Sequence, residues 1–237
     1  MVGLGGGFIA VPVLLLFFGL PPAQASGTGL ALVVANSGAG AFTYLLQKRV
    51  QVRIGLLVAA GGFPGSILGA IAAAHISAQL FDWLFALLLI GVAIDMTLNR
   101  KKRLAGRDEQ SSSVLDMPWY RSLTLGFAVG IISSLFGVGG GVVLVPSLLY
   151  FSDLPAHMIS ATSHFGIVLT SPVGLAMHWW QHDIHWAFVA PLVLGGILGG
   201  PIGARLSLRL DQTRLMILVA AALVVAALAL VVRQFVN

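Results

Sequence analysis

The stretch Gly137-Val138-Gly139-Gly140-Gly141, followed by the apolar run 142–152, decides the interpretation of this chain. It occurs a second time as Gly3-Leu4-Gly5-Gly6-Gly7, which is also followed by an apolar run. Residues 3–70 align with residues 137–204 without a gap, and 22 of the 68 aligned positions are identical. The identities include Pro, Ser, Thr and Gln as well as Gly. We therefore interpret the pattern as an internal duplication.

The composition is typical of a membrane protein. Apolar residues make up 58% of the 237 residues and charged residues only 9%, whereas a soluble domain carries about 25% charged residues. Stretches such as 81–98 and 215–232 approach the length of about 20 mostly apolar residues that crosses a bilayer as a helix. The predicted environment is therefore the lipid bilayer.

Charge and cysteine content exclude other classes of protein. The net charge of +5 comes largely from basic residues in short loops, a distribution that sets membrane orientation, so we predict no nucleic-acid partner. The chain contains no cysteine, which excludes disulfides and thiol-ligated clusters.

The predicted fold is an all-α polytopic membrane protein with two homologous repeats. Residues 1–98 form the first repeat, residues 99–118 a cytoplasmic linker and residues 119–237 the second repeat. In each repeat a glycine run opens a short apolar helix, and three transmembrane helices follow. The predicted short helices are 8–19 and 142–152, and the long ones are 28–46, 53–74, 80–98, 162–180, 186–206 and 213–232.

A further apolar stretch, 119–136, precedes the second glycine run. The run 142–152 would extend only about 16 Å as a helix, too short to cross about 30 Å of hydrocarbon. We predict that 119–136 and 142–152 form a re-entrant pair with the glycines at its tip. Only Met1 and Val2 precede the first glycine run, so we expect the corresponding helix of the first repeat to be missing or to lie upstream.

The distribution of basic residues predicts how the repeats are oriented. The cluster 100–107 should be cytoplasmic, and Lys48, Arg49 and Arg53 place the start of helix 53–74 on the same side. Counting crossings from these loops turns the second repeat upside down relative to the first. Two parallel repeats made of eight short spans remain the alternative.

Inverted repeats would bring the two glycine tips together near the membrane midplane. Glycine lets the backbone approach a ligand, and the N-terminus of a helix attracts anions. We therefore predict a small-anion site at both tips, with tight packing as the alternative. The predicted tip residues are Gly5, Gly6, Gly7, Gly139, Gly140 and Gly141. For the glycines spaced by four, packing between helices is preferred; these are Gly61, Gly65, Gly69, Gly195, Gly199 and Gly203.

Polar residues beyond each short helix are further candidates for the site. Thr28, Asn36, Thr162 and Ser163 can donate hydrogen bonds to an anion, although Ser and Thr also cap their own backbone. His164 is an ionisable residue at membrane depth and can accept a proton, or can be an ordinary hydrogen-bonded histidine.

Three histidines have spacings that metal sites use, namely His178, His182 and His185. Tryptophans surround them, which is typical of a membrane interface, and they cross a predicted helix end. We predict no metal site, no cofactor and no catalytic residue.

The paired motif GxGGGxxxxPxLL, each copy followed by Leu20-Pro21 or Leu154-Pro155 and a Ser/Thr-rich segment, resembles the TauE/SafE family of sulfite and organosulfonate transporters. The resemblance covers nearly the whole chain, except for the apolar helix that family members carry before the first motif. It implies proton-coupled secondary transport of a small sulfur oxyanion or organosulfonate across a prokaryotic plasma membrane. An anion channel on the same scaffold, a metal-dependent membrane enzyme or assembly factor, and a homo-oligomer remain open.

Overall fold

The computed structural model describes residues 6–98, 117–152, 154–207 and 212–236. Within these ranges the chain forms nine helices and is entirely helical apart from short connections. The helices are α1 (Gly7–Leu16), α2 (Pro22–Leu46), α3 (Val52–His75), α4 (Ala78–Leu98), α5 (Trp119–Phe136), α6 (Gly141–Phe151), α7 (Ala156–Trp180), α8 (Trp186–Ser207) and α9 (Gln212–Val236). The predicted linker lies almost wholly outside the described residues.

The helix starts recur at a constant offset of 134 residues. The corresponding starts are Gly7 and Gly141, Pro22 and Ala156, Val52 and Trp186, and Ala78 and Gln212. Two non-glycine residues with positive φ show the same offset, Lys48 at 54° and His182 at 58°. The order of one short and three long helices therefore occurs twice along the chain.

Five helical segments are long and apolar enough to cross a membrane: Pro22–Leu46, Val52–His75, Ala78–Leu98, Met158–Trp180 and Ile217–Gln234. The sixth predicted span, α8, is helical, and its apolar part within the described residues is the shorter segment Trp186–Ile197. Helices α1 and α6 contain only 10 and 11 residues, as predicted for the short helices. The chain is a multi-pass membrane protein.

The prediction that the second helix of each half begins at Thr28 or Thr162 is wrong by six residues. Helix α2 begins at Pro22, because the fixed φ of proline suits the first turn of a helix. Helix α7 begins directly after Pro155, whose φ of −59° and ψ of 147° are extended. The two threonines therefore lie inside helices, with buried side chains.

Glycines bring α3 and α5 into backbone contact. Gly61, Gly65 and Gly69 each face a carbonyl oxygen of α5, and a Cβ atom built at any of them would collide with that oxygen. The carbonyls belong to Leu123, Phe127 and Ile131. The packing interpretation of these three glycines is confirmed.

The same interpretation is wrong for two glycines of α8. A Cβ atom built at Gly195 or Gly199 has no described atom within 4 Å. Helix α8 instead approaches α2 through Gly196, where a Cβ would lie 2.6 Å from Leu32 Cδ1. The surroundings of Gly203 lie outside the described residues.

An aromatic cluster holds the end of α5 in place. The ring of Phe136 lies 5.3 Å from that of Phe81 and 5.2 Å from that of Phe85 between ring centroids. Helix α4, which carries Phe81 and Phe85, also packs along α9, where Gln234 Nε2 donates a 2.7 Å hydrogen bond to Asp82 Oδ2. This cluster fixes the position of the glycine bend that follows Phe136.

Candidate functional site

The second glycine run forms a sharp bend between α5 and α6. Gly137 has a φ of 64° and Gly139 a φ of 75°, values that residues with a Cβ atom rarely adopt. Residues 137–142 are all buried. A non-helical backbone at membrane depth is tolerated only inside protein or beside a water-filled cavity, and the bend is enclosed by protein.

The amide groups of this bend are available as donors. The Gly140 carbonyl accepts hydrogen bonds from the N–H groups of Val143, at 3.1 Å, and Leu144, at 2.7 Å. The N–H groups of Gly139, Gly140 and Gly141 donate to no acceptor in the described part of the chain. They stand at the N-terminus of α6, where the helix dipole and unpaired amides favour negative charge.

The described part of the first glycine run, which forms the first bend, also contains a glycine with positive φ. Gly6 has a φ of 82° and precedes α1, which begins at Gly7, while Gly5 lies outside the described residues. A Cβ atom built on Gly6 would lie 3.6 Å from Asn36 Nδ2. The side-chain amide of Asn36 is therefore beside the first bend, where the sequence predicted a polar contact.

The two bends meet. A Cβ built on Gly7 would lie 2.5 Å from the Gly137 carbonyl oxygen and 2.8 Å from Val33 Cγ2, and one built on Gly139 would lie 2.6 Å from Val33 Cγ1. Val33 is close to the middle of α2, a membrane-span candidate that runs from Pro22 to Leu46. The junction of the bends therefore lies about halfway along this helix.

Apolar side chains complete the walls of the junction. A Cβ built on Gly140 would lie 2.5 Å from Val129 Cγ1 and 3.5 Å from Ile167 Cγ1. Ile167 stands 134 residues after Val33 and occupies the corresponding place on α7. The sequence analysis missed Val33 and Ile167. The available signal was that both halves have a β-branched side chain at this aligned position.

The two predicted threonines join the halves of the chain to each other. Thr28 Oγ1 accepts a hydrogen bond from the backbone N–H of His185, and Thr162 Oγ1 accepts one from the backbone N–H of Gln51. Each distance is 3.0 Å. Neither contact is a cap of the threonine's own helix, and the role of the two hydroxyls toward a substrate remains a prediction.

Ser163 and His164 follow Thr162 on α7. Ser163 is fully buried, and its Oγ has no hydrogen-bond partner among the described residues. His164 Nδ1 lies 3.0 Å from the Ser160 carbonyl oxygen, and its ring meets that of Tyr44 edge-on at 5.5 Å. Its described contacts thus lie toward the C-terminal half of α2 and not at Gly139–Gly141.

His178 is the buried histidine that the sequence analysis assigned to the membrane interface. Its side chain is 0% exposed, and Nε2 lies 2.9 Å from the Ser134 carbonyl oxygen. Ser26 Oγ donates to the neighbouring Leu135 carbonyl at 2.7 Å. Both carbonyls belong to the last turn of α5, where carbonyl groups find no N–H donor within their own helix. His178 and Ser134 are 44 residues apart in the chain, so the sequence could not predict this contact.

Among the described residues, no group of three or more His, Cys, Asp or Glu side chains is placed to hold a metal ion. The junction combines buried amide donors at the N-terminus of α6 with apolar side chains. Unpaired amides at a helix N-terminus favour negative charge.

Comparison with known proteins identifies relatives along most of the chain. The profile described as "Sulfite exporter TauE/SafE" matches residues 1–230. "Probable membrane transporter protein YunE" of Bacillus subtilis (strain 168) is 27% identical over 237 residues, covering 92% of this chain and 86% of the relative.

Further relatives come from other prokaryotes. A "Probable membrane transporter protein" of Xylella fastidiosa (strain Temecula1 / ATCC 700964) is 29% identical over 221 residues, covering 90% of this chain and 81% of the relative. "Probable membrane transporter protein MJ0441" of Methanocaldococcus jannaschii is 28% identical over 182 residues, covering 74% of this chain and 65% of the relative. No solved structure matches the chain significantly.

Proposed function

Because the chain belongs to the TauE/SafE sulfite exporter family, whose members are membrane transporters and not enzymes, we propose that it carries a small sulfur oxyanion or organosulfonate. The carrier uses alternating access across a prokaryotic plasma membrane and is driven by the proton gradient. The plasma-membrane assignment is supported by relatives in bacteria and an archaeon.

The single observation that carries the proposal is the junction of the two glycine bends. The bends meet about halfway along α2, at the N-termini of α1 and α6, and amides at a helix N-terminus bind oxyanions without a formal charge. The substrate oxygens accept hydrogen bonds from Gly139–Gly141 and from the corresponding residues of the first run. Asn36 and Ser163 supplement these donors.

The helices around the junction contain few fixed positive charges. Within the described residues, α1, α2, α6 and α7 contain no lysine or arginine, and the single one in α5, Arg121, lies at its outer end. A buried cation would hold an anion tightly, whereas backbone dipoles bind it more weakly. Such a site suits a carrier, which must release its substrate on the other side.

The proposed architecture is a pair of inverted repeats with an axis in the membrane plane. It is supported by the constant offset of the helix starts and by the reciprocal contacts of the halves. Helix α3 packs against α7, and its counterpart α8 packs against α2, the counterpart of α7. In addition, α2 packs against its counterpart α7, and α4 against its counterpart α9. Rocking of one repeat against the other would expose the junction to each side in turn.

Reconstitution into liposomes tests this function. We expect purified protein to catalyse uptake of sulfite or a sulfonate, and an imposed pH gradient to drive accumulation above equilibrium. A panel of sulfite, thiosulfate, sulfate and short alkyl sulfonates gives the substrate class, with chloride as the control anion. Rapid flux that does not depend on the pH gradient would instead indicate an anion channel. The absence of flux for every sulfur anion would contradict the proposal.

A further inference from the structure

The loop between α7 and α8 folds back onto the end of α7. The N–H of Asp183 donates to the His178 carbonyl at 2.9 Å, and the N–H of His182 donates to the Trp179 carbonyl at 3.0 Å. The Asp183 carbonyl lies against Gly27 of α2, where a Cβ atom would collide with it. The backbone therefore holds the carboxyl group of Asp183 beside the ring of His178.

The hydrogen-bond geometry of His178 determines where its first proton lies. Nε2 faces the Ser134 carbonyl oxygen at 2.9 Å, and a carbonyl oxygen can only accept. Nε2 consequently carries a hydrogen. In a neutral imidazole the other nitrogen, Nδ1, is then an acceptor.

Nδ1 faces a second acceptor. It lies 3.7 Å from Asp183 Oδ2, and an ionised carboxylate only accepts. Both atoms are buried, and neither has a hydrogen-bond partner among the described residues. Two buried acceptors that face each other without a donor are unfavourable. One additional proton makes them a donor and an acceptor, and a small approach from 3.7 Å then completes the hydrogen bond.

We propose that His178 and Asp183 form a proton-binding site that holds one proton between Nδ1 and Oδ2. This inference rests on the proposed function and deepens it, because it places the coupling proton at the α7–α8 loop instead of at His164. The proton comes from hydronium in the water at the Asp183 side, which is 16% exposed, and returns to water when it is released.

Few other titratable groups face this pair. Within the described residues, the first turns of α2 and the last turn of α5 contain none. His182 on the loop is exposed. At the start of α8, the ring of His185 packs against Phe188 at 4.8 Å, and its Nδ1 is buried without a described partner. His185 is therefore the competing group in any titration.

The position of the pair explains how a proton could act on the substrate site. His178 holds the Ser134 carbonyl, three residues before the bend at Gly137, and the backbone of Gly137 packs on Ser26 of α2. When the proton leaves, the two facing acceptors repel each other, which weakens the contact between the Asp183 side chain and the ring of His178. The change reaches the end of α5 through the hydrogen bond between His178 Nε2 and the Ser134 carbonyl.

The substitution Asp183→Asn separates this site from the rest of the protein. An asparagine side chain keeps the size of aspartate and offers a permanent N–H donor to the neutral Nδ1. We expect the melting temperature of the wild-type protein in detergent to fall as the pH rises, because under the proposal the folded state holds the extra proton. In Asp183→Asn this decrease should be largely lost, whereas His182→Gln and His185→Gln should retain it.

Transport by the same variants completes the test. Asp183→Asn should still exchange labelled anion across liposomes at equal pH but should lose most of the accumulation that a pH gradient drives. An unchanged pH dependence of the melting temperature, or loss of that dependence only in His185→Gln, would overturn the proton site. A lost pH dependence with unchanged gradient-driven accumulation would overturn the coupling role. Failure of the wild type to carry any sulfur anion would instead contradict the proposed function, and the melting measurements would still test the site.

Discussion

The hydroxyl oxygen of Thr28 accepts a 3.0 Å hydrogen bond from the backbone N–H of His185. The residues that stand 134 positions away, Thr162 and Gln51, form the same bond at the same distance with the roles of the two halves exchanged. Contacts exchanged in this way are characteristic of a two-fold relation, in which each partner makes the same contact with the other.

Removing either threonine hydroxyl should destabilise the protein by a similar amount. Thr28→Val and Thr162→Val keep the shape of the side chain and leave a backbone N–H without an acceptor, which costs about 1–3 kcal/mol. Thermal unfolding in detergent measures the loss. Thr124→Val is the control, because Thr124 bonds only to carbonyls of its own helix. A large loss in one threonine variant and none in the other would contradict the reciprocal arrangement.

The close approach of α3 and α5 should not tolerate a methyl group. In Gly65→Ala the new Cβ meets the Phe127 carbonyl oxygen, and overpacking of this kind costs about 1–3 kcal/mol. Gly91→Ala is the matched control, since a Cβ there meets nothing within 4 Å and alanine favours the helix. Melting temperatures of the two variants give the comparison, and equal values would show that α3 and α5 can separate at little cost.

The inverted arrangement predicts opposite exposure of two aligned loops. The chain contains no cysteine, so a single introduced cysteine is the only thiol that a maleimide can label. Gln47→Cys, next to Lys48 and Arg49, should react with a membrane-impermeant maleimide only from the cytoplasmic side. Gln181→Cys, at the aligned position, should react only from the outside. Labelling of both from the same side would favour parallel repeats.

A negative charge beside the first bend should abolish anion transport. Asn36→Asp preserves the size of the side chain whose Nδ2 lies near Gly6. Two like charges about 4 Å apart repel by about 4 kcal/mol at an effective dielectric constant of about 20. Uptake of the anion should therefore fall more than about tenfold. Gln24→Glu, in the first turn of the same helix, is the control for introducing a charge. Normal uptake by Asn36→Asp would place the anion elsewhere.

Much of the fold follows from the sequence. The lengths of the apolar runs and the glycine motifs correctly predicted the short helices α1 and α6 and the three long helices after each. The predicted starts at Thr28 and Thr162 were late, because the prolines preceding them were read as a turn when they lie at the beginning of a helix. Local signals therefore specify the elements better than their ends.

The candidate site could be predicted only in part. The glycine motifs indicated two bends that meet, and the structure places Gly7 against Gly137. The sequence did not indicate that His164 contacts Gly40 and Tyr44. Nor did it reveal the pairing of His178 with Asp183, which depends on the path of one short loop. Contacts of this kind require tertiary geometry that periodicity and spacing do not encode.

The central claim is that the amides of the second bend hold the anion, and substitution of Gly140 tests it most directly. Its φ of −61° is compatible with proline, which lacks the N–H group, and Val129→Ala removes the Cγ1 atom that a Cβ at this position would meet. In the Val129→Ala background, Gly140→Ala retains the amide and Gly140→Pro deletes it.

The measurement is the concentration dependence of sulfite uptake into liposomes by these two variants, after equal folding has been confirmed by thermal unfolding. A hydrogen bond to a charged group contributes about 1.5–3 kcal/mol, so the proline variant should require at least about tenfold more sulfite for half-maximal uptake than the alanine variant. Equal saturation curves for the two variants would contradict the claim.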